Sequence, residues 1–147
     1  MIIEQHNVVD ILIYNDEGEL ALQKRAAGDK SFPDHWDFSA GGHIDENENS
    51  ADAASRELSE GLGIVGALSF VDQEHVQYSG WKPNVQREVD VAIYKMIHNG
   101  PFEINPKEVK EIGFFKLETI QKMIDNGDKF HLEFLLVWEK GLCSHGV

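Results

Sequence analysis

Two carboxylates three residues apart, Glu57 and Glu60, stand in the stretch AASRELSEGLGI. On a helix that spacing puts them one turn apart, on a common face. Paired in this way they can supply hard oxygen ligands to a cation such as Mg²⁺, which takes one or two carboxylates and completes an octahedron with waters and phosphate oxygens. A cation held there would neutralise a polyanionic substrate and aim a water at phosphorus. The alternative is a solvated helix face, the usual fate of exposed acids. Gly61, directly after Glu60, does not suit a helix, where glycine costs roughly 1 kcal/mol relative to alanine. Gly63 already offers a helix stop two residues later.

The elements that must hold these acids follow from the surrounding pattern. Asn49 or Ser50 caps a helix in which Ala51, Ala54, Leu58 and Leu62 form one apolar stripe, leaving Glu57 and Glu60 on another face. Upstream, the Val- and Ile-rich run Asn7 to Tyr14, the turn Asn15-Asp16-Glu17-Gly18 and the alternating Glu19 to Arg25 predict a hairpin. A loop with Gly28 and Pro33 leads to a short strand around Trp36 to Ala40, then to Gly41-Gly42 and the acidic run from Asp45 to Glu48. Strands are predicted at Val65 to Val71, Glu74 to Tyr78, Val85 to His98 and Val109 to Leu117, followed by two short helices. Phe130, Phe134 and Trp138 recur every four residues there, as a core stripe does. Strands, one helix, more strands and terminal helices suggest helices packed on a mixed sheet.

Composition narrows the functions available. The 147 residues, 41% hydrophobic and 27% charged, fit a single domain spanning 1–147. Net charge is −13, from 26 acidic against 13 basic residues, which repels nucleic acid and tolerates a phosphorylated ligand only where cations intervene. The lone cysteine, Cys143, forms no internal disulfide, and no apolar run is long enough to span a bilayer. These features predict a cytoplasmic protein with no membrane partner.

Gly42, Glu48, Arg56-Glu57-Leu58, Glu60, Gly63 and Ile64 resemble the Nudix box, G-x5-E-x7-R-E-U-x-E-E-x-G-U with U apolar. Eight of its nine specified positions are filled, and Gly61 stands where the family has its last glutamate. The upstream stretch LALQKRAAGDKSFPDHWDFSAGGH is similar to the segment leading into the box in the branch that includes isopentenyl diphosphate isomerase. PKEVKEIGFFKLETI is similar to the strand and helix that follow it in many members.

The resemblance implies an α/β/α sandwich with a mixed β-sheet, dependence on Mg²⁺ or Mn²⁺, and hydrolysis of a diphosphate linked to another group, commonly a nucleoside diphosphate derivative. It implies that Glu60 binds metal, that Glu57 binds metal or acts as base, that the Gly42 carbonyl contributes, and that Arg56 pairs with Glu48 to brace the loop. Glu108 and Glu111 lie where the family places a further carboxylate as base or ligand, and Glu88 where the isomerase branch has a metal-binding glutamate. His43 aligns with a metal-binding histidine of that branch. Lys24 and Arg25 are candidates to meet a phosphate, and Trp36, in the cluster Phe32, His35, Trp36 and Phe38, to cover the substrate or to pack the sheet.

Two alternatives stand beside the hydrolase. An isomerase needs a cysteine two residues before the histidine, where this chain has Gly41. A Nudix-fold binding protein with weakened catalysis rests on Gly61. The expected partner is a small-molecule diphosphate, with self-association as a homodimer open.

Overall fold

The computed structural model describes residues 1–144. The apolar run at the N-terminus forms strand β1, Ile2–Tyr14, whose even and odd residues separate two cores. Val8, Leu12 and Tyr14 enter one, and Val9, Ile11 and Ile13 the other. Strand β1 lies at the centre of a mixed sheet. It pairs in parallel with β6 (Val85–Ile97) and antiparallel with β4 (Ala40–His43). On the far side of β6 lies β5, Ser69–Ser79. Strand β2 (Leu20–Arg25) carries β3 (Trp36–Asp37) and β7 (Val109–Phe115).

Helix α1 (Ser50–Leu62) covers one face through Ala53, Ala54, Leu58 and Leu62, while α2 (Leu117–Asp125) and α3 (Leu132–Glu139) cover the other through Ile120, Phe134 and Val137. This is the expected α/β/α sandwich. Leu58 and Leu62 are fully buried, each worth about 1.5–3 kcal/mol of apolar transfer. Among the described residues no helix is long and apolar enough to cross a membrane.

Several elements differ from the sequence reading. The turn after Tyr14 forms, with the Asn15 side chain accepting from the Glu17 and Glu19 amides and Gly18 at φ 77°. The two strands it joins nevertheless pair only at Tyr14 and Leu20, then splay, because β4 and β6 occupy the flanks of β1. The strand expected from Trp36 to Ala40 is broken at Phe38 and Ser39, and the Ser39 hydroxyl bridges Ile13 N–H and the Ala21 carbonyl. The two strands expected between Val65 and Tyr78 are one, with a register shift between Phe70 and Asp72. In α1 the buried stripe contains Ala53 and Gly61, and Ala51 is exposed.

Candidate active site

Helix α1 is fixed at both ends. The Asn49 side chain accepts from the Asp52 amide at 2.8 Å, and Gly63 stops the helix in the left-handed region at φ 66°, donating to the Ser59 carbonyl. Across the sheet, β4 is in register with β1, so that Gly42 lies opposite Val9 and faces α1 while Gly41 lies opposite Asp10 and faces away. A Cβ at Gly42 would overlap the Glu57 carboxylate, with Oε2 only 2.7 Å off. Glycine is therefore required for Glu57 to lie against the strand.

Arg56 ties the loop between β4 and α1 to the helix. Its Nε and Nη2 donate to both Glu48 carboxylate oxygens at 2.9 and 3.0 Å, its Nη2 to the His43 carbonyl at 2.9 Å, and its Nη1 to Glu57 at 2.8 Å. The Arg56 guanidinium holds the Glu48 carboxyl below its ordinary pKa. The expected pairing of Arg56 with Glu48 is thus in place.

Glu57 is half-buried, and burial raises its pKa; Arg56 opposes that shift, while Glu108 and Glu60 add to it. Glu60 sits at the exposed edge, 3.4 Å from Arg56 Nη1. The Glu103 and Asn105 amides donate to the Leu62 and Gly61 carbonyls at 2.9 and 3.1 Å, which staples the segment before β7 to the end of α1. That staple sets Glu108 beside Gly61, with Oε2 3.9 Å from where a Cβ would stand. Among the described residues, no other non-neighbouring atom lies within 4 Å of that position, so packing does not demand a glycine there.

Glu57, Gly42, Gly61 and Glu108 line one side of a cavity of about 370 Å³, the size of a small-molecule site. The other side lies beneath α3 and was not foreseen from the sequence. Asp10, Tyr78, Arg87, His131 and Glu133 line it. Asp10, His131 and Glu133 are each only 6% exposed. Tyr78 donates to Glu133 at 3.0 Å, and the Glu133 amide donates to His131 Nδ1 at 3.1 Å. The visible signals were single acids interrupting apolar runs, Asp10 in VVDILIY and Glu133 in LEFLLVW. Burial raises the Asp10 pKa, and the facing Glu133 carboxyl adds to it.

The remaining candidates divide. Arg25 lines the cavity but is committed, donating to Asp37 and Asp29 at 3.0 Å each and to the Ser31 carbonyl at 3.1 Å. Lys24 and Trp36 do not line it: the Lys24 ammonium lies 5.3 Å from the Trp36 ring centroid, and Trp36 packs edge-on against Phe115. Glu111 pairs across the sheet with Lys24, outside the cavity. Glu88 is set apart from Glu57, because alternation along β6 turns Arg87 to the cavity and Glu88 to the opposite face, where it accepts from Gln77 at 2.9 Å. His43 lines the cavity, its ring nitrogen 2.9 Å from that of His6. Gly41 has no room for a cysteine: a Cβ would overlap Asp10 and stand 2.8 Å from the Val9 carbonyl oxygen.

Among the described residues no three His, Cys, Asp or Glu side chains gather as a preformed metal cage. What the site offers instead is a half-buried carboxylate lying over the Gly42 backbone, with Glu108 close enough to raise its pKa. Two hard oxygen donors suit Mg²⁺ or Mn²⁺, whose shells are largely completed by waters and phosphates.

A family model for the NUDIX domain matches residues 4–136. An uncharacterized Nudix hydrolase of Pseudomonas aeruginosa is 33% identical over 108 residues, which cover 74% of this chain and 61% of that protein. The chain thus accounts for less than two thirds of that relative's length. Among solved structures, a MutT protein of Methanosarcina mazei superposes with a TM-score of 0.78 at 20% identity, covering 95% of this chain and 94% of its own. The NUDIX domain of Shewanella oneidensis NrtR, complexed with ADP ribose, superposes with a TM-score of 0.69 at 17% identity, covering 94% and 86%.

Proposed function

The chain belongs to the Nudix family, and on that premise we propose that it is a metal-dependent hydrolase. Its substrate is a nucleoside diphosphate derivative or a related small diphosphate, cleaved by attack of water at phosphorus. The observation that carries this reading is the Glu57 carboxylate, half-buried against Gly42, with Glu108 beside Gly61. Glu57, Glu60 and the Gly42 carbonyl would hold Mg²⁺ or Mn²⁺, which when bound neutralises the diphosphate and lowers the pKa of water. Glu108, on the same side of the cavity beside Gly61, takes the proton of the attacking water. Arg56 holds Glu57 in place and keeps the loop from β4 to α1 closed over it. The polar lining beyond Glu57 gives the rest of the substrate a water-excluding seat.

The test is hydrolysis of a panel of nucleoside diphosphate sugars, dinucleoside polyphosphates and isoprenoid diphosphates in ¹⁸O-water with Mg²⁺. The expected result is label in a phosphate-bearing product, and no turnover in excess EDTA. Full turnover in EDTA, or label found only on the carbon side of the cleaved bond, would contradict the proposal.

A further inference from the structure

The half of the cavity beneath α3 is built from charged and polar groups at unusual depth. Asp10 Oδ2 is fully enclosed and has no hydrogen-bond partner among the described residues. Gly41 gives the carboxyl its room, since a Cβ at 41 would overlap Oδ1. Glu133 faces Asp10 but, being a carboxyl already engaged by Tyr78, is at best a partner through a shared proton. Leaving a buried acceptor without a donor is costly, so such groups in folded proteins have a partner or a use.

Donors surround the same space. Arg87 lies over the Tyr78 ring at 5.6 Å, and its Nε has no acceptor among the described residues. His131 is kept neutral by burial, and its Nδ1 receives the Glu133 amide, so the ring proton sits on Nε2 as a second donor.

We propose that this half of the cavity seats an uncharged head group that both donates and accepts hydrogen bonds, a sugar diol or the amino edge of a base, with Asp10 as the acceptor that selects it. The inference rests on the hydrolase reading and names what the diphosphate must carry. An apolar isoprenyl chain in this place would leave Asp10, Arg87 and His131 all unpaired. Sites built to hydrogen-bond a ligand reject the analogue that lacks the polar group far more strongly than apolar pockets reject a change of size.

Titration calorimetry of the full chain with Mg²⁺, using inorganic pyrophosphate, dimethylallyl diphosphate, ADP and ADP-ribose as probes, tests this. Intact ligand is verified after each run. ADP or ADP-ribose should bind at least about tenfold more tightly than the two headless or apolar probes, the size of one well-made hydrogen bond. A gain from ADP to ADP-ribose assigns the seat to the second sugar, and equal affinity assigns it to the nucleoside that both probes carry. Asp10→Asn should remove most of the margin while leaving pyrophosphate binding unchanged. Pyrophosphate binding as tightly as the head-bearing probes to the unaltered protein would overturn the proposal, and that comparison needs no variant to fold. So would a folded Asp10→Asn with the margin intact. Tight, Asp10-dependent binding without turnover would overturn the hydrolase reading and uphold this one; turnover with no preference among head groups would do the reverse.

Discussion

Gly61→Glu restores a carboxylate at the one box position this chain lacks, and its consequences can be worked from the site. The backbone at 61 is helical, and among the described residues beyond the helix's own backbone a new Cβ would meet just Glu108 Oε2, at 3.9 Å, so the side chain enters without a clash. Replacing glycine in the last turn gains about 0.5–1 kcal/mol of helix stability. Against this stands a new charge one turn from Glu57 and beside Glu108. At roughly 6 Å a pair of like charges repels by about 3 kcal/mol at an effective dielectric of 20 and by under about 1 kcal/mol in water. In this partly wet site the repulsion wins, and the metal-free variant should be less stable than the parent by about 1–2 kcal/mol. A divalent cation relieves that repulsion, so its binding should tighten by about tenfold, and turnover should rise with it. Melting in EDTA, calorimetric Mg²⁺ titration and initial rates on both forms read these effects. Equal Mg²⁺ affinity, with equal metal-free melting and no gain in rate, would refute the reasoning. It would show that the site does not gather charge around position 61.

Arg56→Ala removes donors to Glu48, Glu57 and the His43 carbonyl, and should lower the melting temperature by several degrees and weaken Mg²⁺ binding less than it weakens folding; unchanged melting with abolished Mg²⁺ binding would contradict that division. Asp10 has its pKa raised by burial and by Glu133, with Asp37 adding and Arg25 opposing. The native state therefore keeps this proton longer than the unfolded chain, and stability falls as pH climbs from the ordinary aspartate value of 3.8 toward the raised native one. Asp10→Asn should flatten that fall in melting-against-pH curves, and identical slopes in both proteins would exclude the assignment. Cys143 is buried, its thiol pushed up to about 12 and thus inert, and its carbonyl accepts from Tyr14. Cys143→Ser should cost about 1–3 kcal/mol for the buried hydroxyl and leave turnover unchanged; a large loss of activity with normal melting would place the C-terminal segment at the site.

The box helix was legible from the sequence because its signals are local: an Asn cap, an apolar stripe and a glycine stop, all within fifteen or so residues. The meeting of Arg56 with Glu48 and Glu57 was legible for the same reason, since one helix and the loop before it bring them together. What was missed depends on long-range register. The parallel pairing of β1 with β6 brings Arg87 to the cavity and turns Glu88 away, and one residue of register decides between them. Lys24 and Trp36 suit substrate binding by type, yet edge-strand pairing holds them against each other. Asp10 and Glu133 lie 123 positions apart in sequence and meet only because α3 closes over β1. A lone acid in an apolar run was the sole trace of each.

The most direct test of the account is the rate of Mg²⁺-dependent diphosphate hydrolysis in Glu57→Gln, which keeps the shape of the side chain against Gly42 and removes its charge. The account predicts normal folding by melting and a loss of turnover of at least about a hundredfold, with weakened Mg²⁺ binding. Full turnover in a folded Glu57→Gln would contradict it.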